Sequence, residues 1–149
     1  MPMIPSLFLL ILLAGTGLPP FREDIVSYAI VQDDGTLITG GHQHLELYGI
    51  YIPLNDRTCR TFIIPPRCGP RAVLMLDFKI DGHFVHCQRL GAEEDGTISA
   101  VCKVNGDDVA AWMLKQGWAV ALPDAPFEYQ VWEKIARKHD RGIWGMEVE

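Results

Sequence analysis

The hydrophobic pattern divides the chain into a short apolar start and a longer region of mixed character. Residues 1–21 contain no charged side chain. The centre of this segment is an unbroken apolar run, formed by Phe8, Leu9, Leu10, Ile11, Leu12 and Leu13. Such a run, followed by small residues and two prolines, is typical of a signal peptide, although a retained anchor has the same pattern. We therefore expect residues 1–21 to be a signal peptide or membrane anchor, and residues 22–149 to form one domain.

Short alternating segments follow the apolar start. The stretches "DIVSYAIVQDDGTLITG" and "HQHLELYGIYIP" are rich in β-branched and aromatic residues, with a turn signal at Asp34-Gly35. This pattern predicts a meander of short antiparallel strands. The next stretch, "NDRTCRTFIIPPRCGP", contains prolines and a glycine that interrupt both the strand and the helix periods, so it predicts a loop.

The second half of the chain predicts three helices and a hairpin. "RAVLMLDFKI" has helical spacing and ends at Asp81-Gly82, and "DDVAAWMLKQG" runs from an acidic cap to Gly117. The segment that opens at Pro126 predicts an amphipathic closing helix. Its apolar stripe consists of Tyr129, Trp132, Ile135 and Ala136. The stretches "HFVHCQRL" and "ISAVCKV" predict the two arms of the hairpin.

The four cysteines favour disulfides, because their number is even and the start of the chain is typical of export. Their spacing suggests two local pairs, Cys59 with Cys68 and Cys87 with Cys102. A hairpin turn centred between Glu94 and Asp95 places the second pair directly opposite, whereas a two-residue Asp95-Gly96 turn offsets it diagonally. Zinc is the rival interpretation, but no spacing is CxxC.

Charge and histidine placement give no sign of a phosphate or metal site. The net charge of −6 repels polyanions, so a nucleic-acid partner is not expected. The acidic tip of the hairpin, residues 93–95, is interpreted as a solvated turn. His42 and His44 share a predicted strand face but lack a third ligand, so no metal site is expected.

The order of these elements resembles the staphylococcal nuclease-like (thermonuclease) family. The resemblance covers about Val26 to Gly145, and its most distinctive blocks are "DGTISAVCKVNGDDVAAWMLKQGWAVA" and "YQVWEKIARKHDRGIWG". Shorter supporting stretches are "DDGTL", "LYGIYIP" and "CGPRAVLML". It implies an α+β fold: an OB-fold five-stranded β-barrel with about three packed helices. The paired cysteines resemble a branch of exported bacterial members.

Active members of that family hydrolyse phosphodiesters with a Ca²⁺ ion bound by carboxylates, a glutamate that activates water and two arginines. The resemblance places other residues at these positions. Gly35 and Tyr51 replace calcium ligands, Leu54 replaces the glutamate, and Glu46 and Thr97 replace the arginines. The resemblance thus implies a degenerate site without catalysis and without a cofactor.

These observations predict a non-catalytic accessory or structural subunit of a membrane-associated protein complex on the periplasmic side of the bacterial inner membrane. Its expected partners are proteins, and the apolar start contacts the membrane. The alternative is an exported Ca²⁺-dependent nuclease or nucleic-acid-binding protein with a relocated site, using nearby groups such as Asp34, Asp56 and Arg57. A third hypothesis is a periplasmic module that binds carbohydrate or peptide on the barrel face.

Overall fold

The computed structural model describes residues 24–53 and 69–145. It shows a mixed α+β fold in which three α-helices accompany a curled, half-barrel sheet. The apolar run at residues 8–13, Leu54 and the Cys59–Cys68 pair lie outside the described residues. Within the two described ranges, no helix has the length and apolar character to cross a bilayer.

The sheet curls because its first two strands, which are consecutive in the chain, lie at its opposite edges. The strands of the described residues are β1 Asp24–Ser27, β2 Ala29–Val31, β3 Leu37–Thr39, β4 His44–Leu47, β5 Ile50–Tyr51, β6 Val85–Ala92, β7 Ile98–Val104, β8 Asp107–Asp108 and β9 Val120–Ala121. The main order is β1-β6-β7-β4-β3-β2, with β8 beside β7 and a separate β5-β9 pair. Since only Tyr28 separates β1 from β2, the two ends of this sheet must approach each other. The β4–β7 pair is parallel, and the other strand pairs are antiparallel.

The three predicted helices are confirmed. They are α1 Gly69–Ile80, α2 Val109–Lys115 and α3 Phe127–Lys138, and a short 3₁₀ helix follows at Gly142–Trp144. Asp108 caps α2 as its acidic residue suggested, and Pro126 precedes α3. The predicted stripe of α3 is correct for Tyr129 and Ala136, which are buried, but wrong for Ile135, which is 43% exposed.

Cys87 and Cys102 lie directly opposite each other and form the predicted disulfide. Both residues are buried in the core. Neither of the two turns considered from the sequence produces this register. The loop instead spans residues 94–96: the amide of Gly96 donates to the carbonyl of Glu93, and the amide of Glu93 donates to the carbonyl of Thr97.

A β-bulge at Leu90 completes the register of the hairpin. The loop pairs Ala92 with Ile98. Without a bulge this register would continue along the strands and place Cys87 opposite Lys103 instead of Cys102. The extra residue between Arg89 and Gly91 removes the offset. The disulfide therefore depends on an irregularity in the strand as well as on the turn.

The C-terminal end of α2 packs closely against the segment after α3. Gly117 has φ +81°, and its carbonyl accepts a hydrogen bond from the amide of Ile143. A Cβ atom on Gly117 would overlap the carbonyl of Arg141. Only glycine combines this backbone conformation with such a close approach.

Candidate functional site

An open cleft of about 280 Å³ lies between three parts of the fold. They are the turn between β2 and β3, strands β4 and β5, and the tip of the β6–β7 hairpin. Four positions at which the resemblance places family catalytic groups line this cleft together, namely Gly35, Glu46, Tyr51 and Thr97. The fifth, Leu54, lies outside the described residues. Residues that are far apart in sequence thus meet at one site.

Strand alternation aims the polar side chains of β4 into the cleft. Leu45 and Leu47 are buried in the core, so His44 and Glu46, which alternate with them along β4, face outward. The parallel pairing of β4 with β7 places Glu46 beside Ser99, close to where β7 leaves the hairpin tip. The strand that carries the core leucines therefore also carries the cleft wall.

Gly35 closes the turn at one end of the cleft. It has φ +83°, and a Cβ atom added there would lie 3.2 Å from two side-chain carbons of Ile52. An aspartate at this position would be strained by its backbone and crowded by Ile52. The turn is thus built for glycine, not for the carboxylate ligand expected at this family position.

His44 lies between two threonine hydroxyls. The Thr36 hydroxyl donates to Asp34 Oδ1 at 2.6 Å, so its oxygen is left to accept from His44 Nε2 at 2.6 Å. His44 Nδ1 lies 3.4 Å from the Thr97 hydroxyl, which donates to it in this tautomer. These contacts link the β2–β3 turn to the hairpin through β4.

The cleft lowers the pKa of two of its carboxylates and raises the pKa of the third. Burial opposes ionisation of Asp34, but hydrogen bonds from the Thr36 hydroxyl and amide, with attraction to His44, lower its pKa. Hydrogen bonds from Thr97 lower the pKa of Asp95. Burial, followed by repulsion from Glu93, Asp95 and Asp34, raises the pKa of Glu46. Glu46 is therefore the carboxylate that the cleft stabilises least.

The described cleft wall carries no lysine or arginine. Its acidic side chains come from the β2–β3 turn, from β4 and from the hairpin tip, at Asp34, Glu46 and Asp95. A phosphate group entering between them would meet negative charge from three directions, with His44 as the nearest basic group among the lining residues. This wall favours a cationic partner over an anionic one.

The described residues include no group of three or more histidine, cysteine, aspartate or glutamate side chains placed to hold a metal ion. His42 has φ +60° and lies in the turn before β4, so the expectation that it shares a strand face with His44 is wrong. His83 also lies in a turn, before β6. The two-residue spacing of His42 and His44 did not reveal the turn at His42.

The apolar stretch "GIYIP" is not uniformly buried. Ile52 and Pro53 are buried, but Tyr51 is 39% exposed and faces the carboxylates. The hairpin tip is exposed as expected at Glu93 and Glu94, while Asp95 also lines the cleft. Sequence reasoning missed the link from Thr36 through His44 to Thr97, for which the only signal was the threonine after Asp34-Gly35.

No known protein-family model matches the sequence, and a search of the curated proteins finds no match either. The functional argument therefore depends on the strand topology and on the composition of the cleft.

Proposed function

We propose that the chain is a non-catalytic relative of the staphylococcal nuclease-like (thermonuclease) family that acts as an accessory subunit of a membrane-associated protein complex. Its place is the periplasmic side of the bacterial inner membrane, to which the apolar start attaches it. The proposal has three parts: an OB-fold barrel, a cleft without phosphodiesterase activity, and a role in protein contacts.

The strand order supports the OB-fold part. When β1 and β2 are taken as one bent strand, and β4 with β5 as another, the fold has five main strands, the number that the proposed barrel requires. The bent first strand pairs at both ends, with β6 and with β3, and the single parallel pair joins β4 to β7. In OB-folds, ligands bind between the loop after the first strand and the loop before the fifth. The cleft lies between the corresponding β2–β3 turn and β6–β7 tip.

The absence of catalysis follows from charge, and Glu46 is the observation that carries it. Phosphoryl transfer spreads negative charge over the transferred oxygens and requires fixed cations around them. Glu46 introduces an anion where the family resemblance places an arginine, and the neutral Thr97 stands at the second arginine position. Removing one such stabilising group typically reduces turnover by about 10²–10³-fold, so two losses together with a reversed charge leave little activity.

The same charges support a protein partner. A carboxylate-lined cleft repels nucleic acid and attracts basic side chains, so the partner surface is expected to present lysine or arginine here. The membrane-attached start confines the search for that partner to proteins of the same membrane.

Activity is tested on the purified full-length chain with single-stranded DNA and Ca²⁺. We expect no turnover by the wild-type chain. A Glu46→Arg variant that has been checked for folding should be equally inactive, since one restored arginine does not supply the missing metal ligands. Clear wild-type turnover that is lost in Asp34→Asn or Glu46→Gln would overturn the proposal and favour the nuclease with a relocated site.

The accessory role is tested by a tagged pull-down from membranes in mild detergent. We expect a partner to co-elute at fixed stoichiometry. It should be lost from the Glu46→Lys variant, in which a charge of the cleft is reversed. Recovery of a free monomer in the soluble fraction would overturn it.

A further inference from the structure

The bent first strand is apolar on both faces. Ile25, Ala29 and Val31 pack against the core, whereas Val26, Tyr28 and Ile30 point away from it. With Phe84 these outward residues form a surface that we call the aromatic face. Their exposed fractions are 55% for Val26, 56% for Tyr28, 69% for Ile30 and 49% for Phe84.

The aromatic face is continuous across two strands. The rings of Tyr28 and Phe84 lie 3.9 Å apart between centroids, and Val26 is paired with His86 on β6. A strand whose second face is solvated normally alternates apolar with polar residues. The apolar character of both faces therefore indicates that something covers this surface in the functional state.

Charge of both signs borders the aromatic face. Lys103 and His86 are paired beside it, but Asp24 lines the same groove, and Asp108 is paired with Lys103 from the other side. The carboxylates of residues 93–95 lie at the far end of the β6–β7 hairpin. The aromatic face is therefore distinguished by its apolar side chains, and exposed aromatic and aliphatic residues of this kind insert at a membrane interface.

The chain preceding β1 makes a bilayer the nearest candidate for this cover. The uncharged start extends to Phe21, and residues 19–23 connect its apolar part to Asp24. Five residues span at most about 18 Å, so an anchored start keeps β1 within that distance of the bilayer. A second copy or a soluble partner has no such connection to this face.

We infer that the aromatic face lies against the surface of a phospholipid bilayer. This inference rests on the proposed membrane attachment and adds to it an orientation. The end of the β6–β7 hairpin beside Phe84 faces the lipid headgroups, and the tip at residues 93–95, with its cleft, faces away from them. The cleft is thereby left open to a protein partner.

The test places a photoreactive side chain on the aromatic face of the full-length chain. Tyr28→benzoylphenylalanine is irradiated in membranes that contain phosphatidylglycerol, and adducts are identified by mass. The matched control is Phe127→benzoylphenylalanine, because Phe127 is 79% exposed and lies on α3, which packs against α2 and β9. We expect a mass increase of one phospholipid at position 28 and none at position 127.

The outcomes separate this inference from the proposed function. A protein adduct, a cross-linked dimer or no adduct at position 28 overturns the inference even when the chain is in the membrane fraction. A chain found only in the soluble fraction overturns the membrane attachment itself, and the inference with it. As a second measurement, Ile30→Asp is expected to reduce the lipid adduct at position 28, because it places a charge on the most exposed residue of the aromatic face, and an unchanged yield contradicts the bilayer contact.

Discussion

Asp108 and Tyr129 join two helices through one carboxylate. Asp108 Oδ1 accepts from the amide of Ala111 and thereby caps α2, while its Oδ2 accepts from the Tyr129 hydroxyl of α3 at 2.5 Å. Burial and this hydrogen bond raise the pKa of Tyr129. The Tyr129 ring also packs on Gly49, where an added Cβ would lie 3.0 Å from it. The pair thus holds α2, α3 and the turn before β5 together.

Removing the two halves of this contact should have unequal effects. Tyr129→Phe loses one hydrogen bond but keeps the helix cap, and should reduce the free energy of unfolding by about 1 kcal/mol. Asp108→Ala loses the cap and also leaves a buried hydroxyl without its partner, so we expect about 2–3 kcal/mol. Urea denaturation of the single and double variants measures the coupling. Additive effects would show that Asp108 does not link the helices.

The bulge in β6 yields a prediction about deletions. Deleting Leu90 removes the extra residue and leaves Cys87 opposite Cys102, because Arg89 already pairs with Ala100 and Gly91 with Ser99. Deleting Val101 on β7, which has no extra residue to lose, instead places Cys102 opposite Gln88 and turns it to the other face of the sheet. We expect the disulfide to form in the first variant and not in the second, as measured by thiol titration of the denatured proteins. The opposite result would place the bulge elsewhere.

Removing the disulfide should destabilise the domain substantially. A cross-link that closes a loop with a sequence separation of 15 restricts the unfolded chain by about 3 kcal/mol in the loop-entropy model. The double variant Cys87→Ala with Cys102→Ala should therefore unfold at a lower urea concentration by a corresponding amount. A loss below about 1 kcal/mol would indicate that the hairpin is already ordered in the unfolded chain.

The raised pKa of Glu46 predicts that removing its charge stabilises the fold relative to the wild type, and that this difference grows with pH. A folded-state pKa above the unfolded value means that ionised Glu46 destabilises the fold, so the penalty is absent well below the usual glutamate value of 4.5 and grows as pH rises. Because Glu46 is only partly shielded from solvent, Glu46→Gln should stabilise by no more than about 0.5 kcal/mol at pH 7.

Asp34→Asn is the matched control for this prediction, with the opposite sign. Its lowered pKa means that ionised Asp34 stabilises the fold. That contribution is present above the unfolded pKa and is lost as pH falls through the folded one, so Asp34→Asn should destabilise at neutral pH. Denaturation curves between pH 3 and pH 7 distinguish the two variants. Parallel curves would contradict both signs.

Two glycines with nearly the same backbone conformation should respond differently to alanine. Gly117 and Gly106 have φ +81° and +83°, but Gly106 has open space where a Cβ would be added, whereas Gly117 faces the carbonyl of Arg141. Gly106→Ala should cost about 1–2 kcal/mol from backbone strain alone. Gly117→Ala should cost more than about 3 kcal/mol, since the backbone after α3 must move. Equal losses of melting temperature would contradict the close approach.

Local signals in the sequence were sufficient for the helices and the hairpin. Asp108 marks a helix start by its cap and Pro126 by its fixed backbone angle, both of which are local properties, and "HFVHCQRL" with "ISAVCKV" carried the strand pattern. The bulge at Leu90 was not predictable, because it is defined by the opposite strand.

The cleft required information that no local pattern contains. Glu46 and Thr97 meet only because β4 pairs in parallel with β7, a contact between residues about 50 positions apart. The exposure of Tyr51 within an apolar stretch has the same origin, since its surroundings are supplied by the β2–β3 turn and the hairpin tip. The family resemblance named these positions but not their geometry.

The burial of Cys87 and Cys102 constrains the order of events during maturation. Their side chains are shielded from solvent by the core, so neither an oxidant nor an oxidoreductase can reach the sulfur atoms once the barrel has closed. The covalent bond must be made while the hairpin is still accessible, before the core closes around it. A chain that closes its barrel with both thiols reduced would have to reopen before it could be oxidised. The timing of oxidation relative to collapse, more than the final redox poise, therefore decides which form of the protein accumulates.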